Sequence, residues 1–124
     1  ENGGATDGQL YIVDRKDDMV ICGGYNIYPL EVENYITQHE NVRQAIVVGI
    51  SDAVKGQVPK AFIVLEKGES ATADELEAYC RDCMAAYKVP RSFEFVTLAD
   101  LPQTASGKVL KREIRRLEEE KLNA

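Results

Sequence analysis

The sequence has few histidines and cysteines, the residues that form zinc sites and many nucleophilic catalytic sites. Its 124 residues include one histidine, His39, and three cysteines. His39 has neither metal-ligand spacing nor a neighbouring acid and nucleophile, so we interpret it as a helix-end residue and do not expect a histidine-dependent hydrolase. Cys80 and Cys83 are spaced like half of a zinc or redox site. Because no second ligand pair follows, we favour core packing for both.

Long hydrophobic runs, net positive charge and a disulfide pattern are also missing. No apolar segment reaches the roughly 20 residues of a membrane-spanning helix, and no signal peptide opens the chain. The formal net charge of −6 disfavours nonspecific binding to nucleic acid or to an anionic membrane. An odd number of cysteines without small-disulfide spacing suits a reducing compartment, so we expect a cytoplasmic protein.

The sequence lacks both of the glycine-rich motifs that identify phosphate-binding loops. The sequence contains no G-x-x-x-x-G-K-[ST] and no G-x-G-x-x-G. The paired glycines Gly23 and Gly24 therefore need another interpretation. They form either a simple bulge or turn, or a place where another backbone or a narrow ligand approaches closely.

Hydrophobic periodicity predicts strands and helices in alternation. Strands are predicted at 9–13, 19–22, 42–50, 58–66 and 93–98, and helices at about 29–39, 72–87 and 109–121. The second helix begins with a capping box formed by Thr72 and Glu75. These elements predict one α+β domain over residues 9–124, a two-layer arrangement in which helices pack on a small sheet of antiparallel strands. Residues 1–8 are interpreted as a linker or the start of a fragment.

A turn-prone loop holds one lysine near the end of the chain. Residues 102–108 read Pro-Gln-Thr-Ala-Ser-Gly-Lys, in which proline and glycine mark a loop and the hydroxyl side chains can satisfy backbone donors. Lys108 is then either a solvated lysine or a point cation that reaches an anionic group on another body. A basic helix follows, and its apolar residues Leu110, Ile114 and Leu117 are expected to pack inward.

Two further segments each allow a plain and a functional interpretation. Residues 14–18 (Asp-Arg-Lys-Asp-Asp) form either a solvated hairpin tip or a specific polar motif. Tyr87, Lys88 and Arg91 lie around Pro90, which is expected to end the second helix. They are either cations favoured at a helix terminus or an aromatic and two charges that grip a nucleotide.

Three of these motifs, in this order, resemble the adenylate-forming superfamily of acyl-CoA synthetases, luciferases and peptide adenylation domains. The matching segments are 14–18 with 23–29, 87–90, and 102–108. The resemblance covers residues 8–117 and is closest to fatty or aryl acyl-CoA ligases. It implies that Lys108 enters the active site of a larger neighbouring domain and contacts the substrate carboxylate and the ATP α-phosphate.

The same resemblance implies roles for the other motifs. Arg15 is expected near the nucleotide ribose. Asp17 is expected to be the hinge about which the domain rotates, although Lys16 or Asp18 could carry the hinge instead. The remaining candidates are expected to contact CoA: Gly23, Gly24 and Tyr25 beside the pantetheine tunnel, and Tyr87, Lys88 and Arg91 near the adenosine and its phosphates.

The resemblance therefore implies the small C-terminal lid domain of an AMP-forming acid–CoA ligase. The large N-terminal domain is absent from the sequence, so the domain alone is expected to be inactive. The implied cosubstrates are ATP, CoA and a carboxylic acid, and Mg²⁺ is expected to bind mainly to the N-terminal domain. Two alternatives stay open: an adenylation domain that loads a carrier protein, and a noncatalytic module that binds CoA or a nucleotide.

Overall fold

The computed structural model describes residues 19–123, of which Asn123 only by its backbone. The five strands are β1 Val20–Cys22, β2 Tyr25–Ile27, β3 Val42–Asp52, β4 Gly56–Leu65 and β5 Ser92–Phe95. The three helices are α1 Pro29–Ile36, α2 Ala73–Cys83 and α3 Lys111–Asn123, and two short 3-10 turns span Ala86–Lys88 and Leu98–Asp100. The strand predicted at 9–13 lies outside the described residues, as do Arg15 and the hinge residue Asp17.

The strands form one sheet in which β4 is central. β3 pairs antiparallel with β4 along its whole length, from Val42 opposite Leu65 to Asp52 opposite Gly56. The other side of β4 is shared by β1, which pairs antiparallel at Gly56, and by β5, which pairs parallel over 60–63. β2 continues the sheet beyond β1, so the order is β2-β1-β4-β3 with β5 beside β4. β2 was not predicted, because its residues Tyr-Asn-Ile form no continuous apolar run like that of β1.

Both faces of the sheet are buried. One core contains Val47 of β3 and Ile63 of β4, together with apolar residues of α1 and α2. The neighbouring strand residues Val48 and Phe62 point to the other face, where they join Ile114 of α3. The predicted α+β class is confirmed, but helices cover both faces and not one. The long apolar runs in β3 and β4 are the physical reason, since such strands need cover on each side.

The second helix is shorter than predicted. Its capping box forms as expected, with the Glu75 N–H donating to Thr72 Oγ1 and the Thr72 N–H donating to Glu75 Oε1. The helix ends at Cys83, and Met84 is extended with φ −147° and ψ 165°. The prediction that it continues to Tyr87 and stops at Pro90 is wrong. The chain leaves α2 early because it has to reach β4, where the Arg91 N–H donates to the Pro59 carbonyl at 2.7 Å.

The last helix packs differently from its predicted apolar stripe. Ile114 is buried as expected, but Leu117 is 40% exposed. The inward position is taken instead by Glu118, which is 7% exposed and lies 2.7 Å from the Lys60 ammonium. A buried carboxylate is tolerated here because it is paired with a cation.

The core packing predicted for Cys80 is confirmed, but Cys83 belongs to neither core cluster. Cys80 is fully buried and Cys22 is buried, whereas Cys83 is partly exposed, and all three are free thiols. Burial raises the pKa of Cys80 to about 11. Among residues 19–123, no group of three or more His, Cys, Asp or Glu side chains could hold a metal ion. Within the same range, no helix has the length and apolar character needed to cross a membrane.

Candidate functional site

Lys108 follows a tight turn that its own loop stabilises. The Gly107 N–H donates to the Thr104 carbonyl at 2.9 Å, and Gly107 has a φ of 91°, a conformation that favours glycine. The Thr104 hydroxyl accepts from the Lys108 N–H at 3.1 Å, and the Thr104 N–H donates to the Lys108 carbonyl at 2.9 Å. The predicted loop is confirmed, and its backbone is fixed on both sides of Lys108.

The base of this turn is closed by backbone pairing between its own two arms. Gln103 and Val109 form an antiparallel bridge, and the Leu110 N–H donates to the Pro102 carbonyl at 2.9 Å. Val109 packs against the core beneath α3. We call residues 102–110 the lysine hairpin. Its two arms are held together below the turn, so the position of Lys108 depends on where the hairpin is rooted.

The paired glycines form a second hairpin, between β1 and β2. Cys22 pairs with Tyr25, which leaves Gly23 and Gly24 as a two-residue turn. Both have positive φ, 59° and 90°, as this class of hairpin turn requires. The Gly23 N–H donates to the Lys55 carbonyl at 2.9 Å, which joins the turn to the β3–β4 loop.

A small cavity of about 190 Å³ lies beside the glycine turn. Four of the predicted CoA residues line it: Gly23, Tyr25, Tyr87 and Arg91. Tyr25 and Tyr87 stack with ring centroids 4.4 Å apart. The structure thus brings together two segments, 23–25 and 87–91, that are far apart in the sequence.

Two of the predicted CoA residues are not among those that line this cavity. Gly24 faces open space, with no atom of the described residues within 4 Å of an added Cβ. The Lys88 ammonium lies 3.1 Å from the Glu31 carboxylate on α1, and this hydrogen bond raises the pKa of Lys88. Lys88 and Arg91 do not lie at the end of α2, which ends at Cys83, but Lys88 is the last residue of the 3-10 turn Ala86–Lys88.

Lys55 is a cavity residue that the sequence analysis missed. It lines the cavity beside Gly23, and its ammonium would lie 3.9 Å from a Cβ added there. The sequence places Lys55 in a polar loop, and no periodic pattern marks it. Together Lys55 and Arg91 give the cavity two positive charges, a combination that suits a phosphate or diphosphate group.

One carboxylate lies near these cations. The Asp52 side chain accepts from the backbone N–H groups of Lys55 and Val54 at 2.9 and 3.1 Å. These two bonds hold the pKa of Asp52 below its ordinary value, and the charge of Arg91 adds to the effect. Asp52 therefore stays ionised at neutral pH and fixes the turn that presents Lys55.

The two candidate regions belong to different faces of the sheet. Val109 of the lysine hairpin packs in the core beneath α3. Cys22 and Val89, which line the cavity, pack with α1 and α2 on the opposite face.

Known proteins match most of the chain. The family model of the AMP-binding enzyme C-terminal domain matches residues 31–108. The chain is 49% identical to a long-chain-fatty-acid–CoA ligase of Bacillus subtilis (strain 168), over 94% of the chain and 20% of that protein. It is 45% identical to a 2-succinylbenzoate–CoA ligase of Geobacillus kaustophilus (strain HTA426), over 90% of the chain and 22% of that protein.

Solved structures give the same result. The Brucella canis acyl-CoA synthetase superposes with a TM-score of 0.78 and 37% identity, over 87% of this chain and 20% of that one. The anthranilate CoA ligase AuaEII, in complex with anthranoyl-AMP, superposes with a TM-score of 0.78 and 36% identity, over 88% of this chain and 21% of that one. The chain thus spans about a fifth of the length of these relatives, and it belongs to the AMP-binding enzyme C-terminal domain family.

Proposed function

We propose that this chain is the mobile C-terminal domain of an AMP-forming ligase that joins a fatty or aromatic carboxylic acid to CoA. One observation carries the proposal: the lysine hairpin and the cationic, aromatic-walled cavity lie on opposite faces of one small sheet. Two faces suit an enzyme with two half-reactions, because the domain can present each in turn. The carboxylic acid and the CoA thiol are inferred from the names of the relatives, which are CoA ligases.

In the first half-reaction the substrate carboxylate attacks the α-phosphorus of ATP. A carboxylate oxygen–phosphorus bond forms and the bond to the leaving pyrophosphate breaks, which gives acyl-AMP. Negative charge gathers on the carboxylate and phosphate oxygens, and the Lys108 ammonium stabilises it electrostatically. The described residues offer no ligand cluster for Mg²⁺, so we assign that ion to the rest of the polypeptide.

In the second half-reaction the opposite face meets the same active site. The CoA thiol attacks the acyl-adenylate carbonyl, the carbon–sulfur bond forms, and AMP leaves with the bonding electron pair and the thiol proton goes to solvent. Gly23, Gly24 and Tyr25 border the path of the pantetheine arm, and Tyr87, Arg91 and Lys55 hold the nucleotide end. Lys88 does not line the cavity, but it contributes its positive charge beside the Tyr87 ring.

Rotation between the two states is assigned to Asp17, with Arg15 next to the ribose. Both lie outside the described residues, so this part rests on the resemblance of residues 14–18 alone. A rotation of this kind withdraws Lys108 before CoA binds, which keeps the two sets of catalytic groups from competing for one site.

The test is a half-reaction assay on the full-length enzyme that carries this domain. ATP–pyrophosphate exchange is measured across a panel of carboxylic acids for wild type, Lys108→Ala and the control Lys67→Ala, which removes an exposed lysine elsewhere. We expect acid-dependent exchange in wild type and control, and a loss of at least about 100-fold in Lys108→Ala. Thioester formation from supplied acyl-AMP should continue in all three. Equal loss of both half-reactions in Lys108→Ala would contradict the assigned role.

The two alternatives predict different results in the same assay. An adenylation domain that loads a carrier protein would show exchange but no thioester with free CoA. The paired cations of the cavity favour CoA, because a carrier-bound pantetheine arm has no nucleotide to bring to them. A noncatalytic module would show no exchange with any acid, while the isolated domain would still bind CoA in a titration.

A further inference from the structure

One carboxylate joins the edge of the sheet to the beginning of α3. Glu33 Oε2 accepts from the Val47 N–H at 2.8 Å and lies 2.7 Å from the Lys111 ammonium. The side chains of Glu33 and Lys111 are only 13% and 18% exposed. Hydrogen bonds to an ionised oxygen are short and strong, and here they connect β3, α1 and α3 at one point. We call Glu33 and Lys111 the clamp.

The position of Lys111 is unfavourable for the helix that contains it. Lys111 is the first residue of α3, where the helix dipole favours negative charge. Helix formation therefore gives no reason for a cation at this position, whereas the pairing with Glu33 does. The clamp holds the first turn of α3 at the sheet edge against this local cost.

Lys111 is also the first residue beyond the lysine hairpin. Three consecutive residues fix the exit arm: Val109 by packing in the core, Leu110 by its bond to the Pro102 carbonyl, and Lys111 by the clamp. Of these, the clamp ties the arm to the edge strand β3 through a hydrogen-bonded ion pair. Release of the clamp would let the first turn of α3 and the hairpin shift together as one unit.

We propose that Glu33 and Lys111 are positioning residues for Lys108, which set where its ammonium stands in the adenylation half-reaction. The inference rests on the proposed function, in which Lys108 acts in that half-reaction. A displacement of a catalytic group by about 1 Å lowers a rate by as much as 100-fold. The clamp is not among the residues that line the CoA cavity, so the thioester half-reaction is spared.

The experiment compares Lys111→Gln, Lys111→Arg and Glu33→Gln in the full-length enzyme. ATP–pyrophosphate exchange, thioester formation from supplied acyl-AMP, and the melting temperature are measured for each. We expect Lys111→Gln and Glu33→Gln to lower the kcat of exchange by about 10- to 100-fold while thioester formation stays within about twofold. Lys111→Arg should restore exchange, because a guanidinium reaches the same carboxylate. A general loss of stability would not produce this split.

The matched control is Arg116→Gln on the same helix. It breaks exposed ion pairs to Glu113 and Glu120 and should leave both half-reactions unchanged. If Lys111→Gln fails to fold, Glu33→Gln carries the test, since its amide oxygen still accepts from the Val47 N–H. The inference would be overturned by unchanged exchange, by equal loss of both half-reactions, or by a failure of Lys111→Arg to restore exchange. In each of these cases the proposed function would still stand if the wild type shows acid-dependent exchange. A wild type without acid-dependent exchange would overturn both.

Discussion

Tyr25 and Tyr87 stack with ring centroids 4.4 Å apart and ring planes 21° from parallel. Tyr25 follows the glycine turn, and Tyr87 lies in the 3-10 turn after α2, so the stack joins the sheet edge to the segment that leads into β5. Both rings remain partly exposed, at 57% and 37%. The pair forms a partly exposed aromatic wall of the cavity, and aromatic surface of this kind is one on which a base can stack.

Removal of the aromatic wall should raise the KM for CoA and leave ATP–pyrophosphate exchange unchanged. We expect Tyr87→Ala to raise the KM for CoA by about tenfold, because an aromatic contact worth about 1 kcal/mol and the shape of the cavity are lost together. Tyr87→Phe keeps the stack and should behave like wild type. Steady-state kinetics with CoA as the varied substrate, alongside pyrophosphate exchange, give the comparison. A matching loss of exchange would indicate that Tyr87 stabilises the fold and does not bind CoA.

The two cations of the cavity should recognise the phosphates of CoA. Lys55→Ala and Arg91→Ala are each expected to raise the KM for CoA by about tenfold, the usual value of a charge-assisted hydrogen bond. The effect should weaken at high salt, because the charges are exposed. Pantetheine, which has no nucleotide, serves as the comparison substrate, and its KM should not change in either variant. Equal effects on CoA and pantetheine would place the cations elsewhere along the arm.

A side chain at Gly23 should lower thioester formation. Gly23 has a φ of 59°, so Gly23→Ala stores strain of about 1 kcal/mol and puts a methyl group 3.8 Å from Lys55 at the cavity. Gly68→Ala is a matched control, with a φ of 81° and open space around it among the described residues. Both variants should lose similar stability in thermal unfolding. Thioester formation should fall in Gly23→Ala only, and a similar fall in Gly68→Ala would attribute the loss to stability.

The ion pairs around Glu118 should stabilise the domain over a wide pH range. Burial pushes the pKa of Glu118 up, but the ammonium groups of Lys60 and Lys121 outweigh it, so the pKa lies below its ordinary value of 4.5. Burial likewise opposes the charge of Lys60, yet the carboxylates of Glu118 and Glu94 raise its pKa above 10.5. The stabilisation from Glu118 is present above 4.5 and lost as the pH falls through the lowered pKa. That from Lys60 is present below 10.5 and lost as the pH rises through the raised pKa.

Glu118→Gln tests this directly. We expect the free energy of unfolding of this chain to fall by about 1–3 kcal/mol at neutral pH, because the variant leaves a partly buried ammonium with one partner fewer. The difference from wild type should shrink as the pH falls through the lowered pKa of Glu118, where the wild-type carboxyl also becomes neutral. Glu120→Gln, at an exposed position of the same helix, should cost less than about 0.5 kcal/mol. Urea unfolding at several pH values measures all three proteins, and a difference that does not depend on pH would contradict the ionic role.

Local chemistry made part of the fold predictable. The capping box of Thr72 and Glu75 specifies the start of α2 with its own side chains, and it forms as predicted. The apolar runs of β3 and β4 similarly identify strands, because their length and their polar connecting loop leave few other structures. The turn before Lys108 was predictable since Thr104 and Gly107 carry the hydrogen bonds and the backbone conformation themselves.

Features that depend on distant contacts were not predictable in this way. Tyr87 fits the helical period of α2, and only its stack with Tyr25 and the route to β5 show why the helix ends earlier. Lys55 and Glu118 look like surface charges in the sequence. Lys55 is placed by its contact with the glycine turn, and Glu118 by its ion pair with Lys60. No pattern in a single sequence reveals either contact.

The acidic groups along the outer side of β3 have a consequence for how copies of this domain meet. An edge strand normally offers its amides as a template for a strand of another molecule, and such pairing leads to aggregation. On β3, the Glu33 carboxylate occupies the Val47 amide and the Glu119 carboxylate occupies the Ser51 amide. Because the two carboxylates already accept from these amides, both donors are blocked as points at which a strand of another copy could pair with this edge.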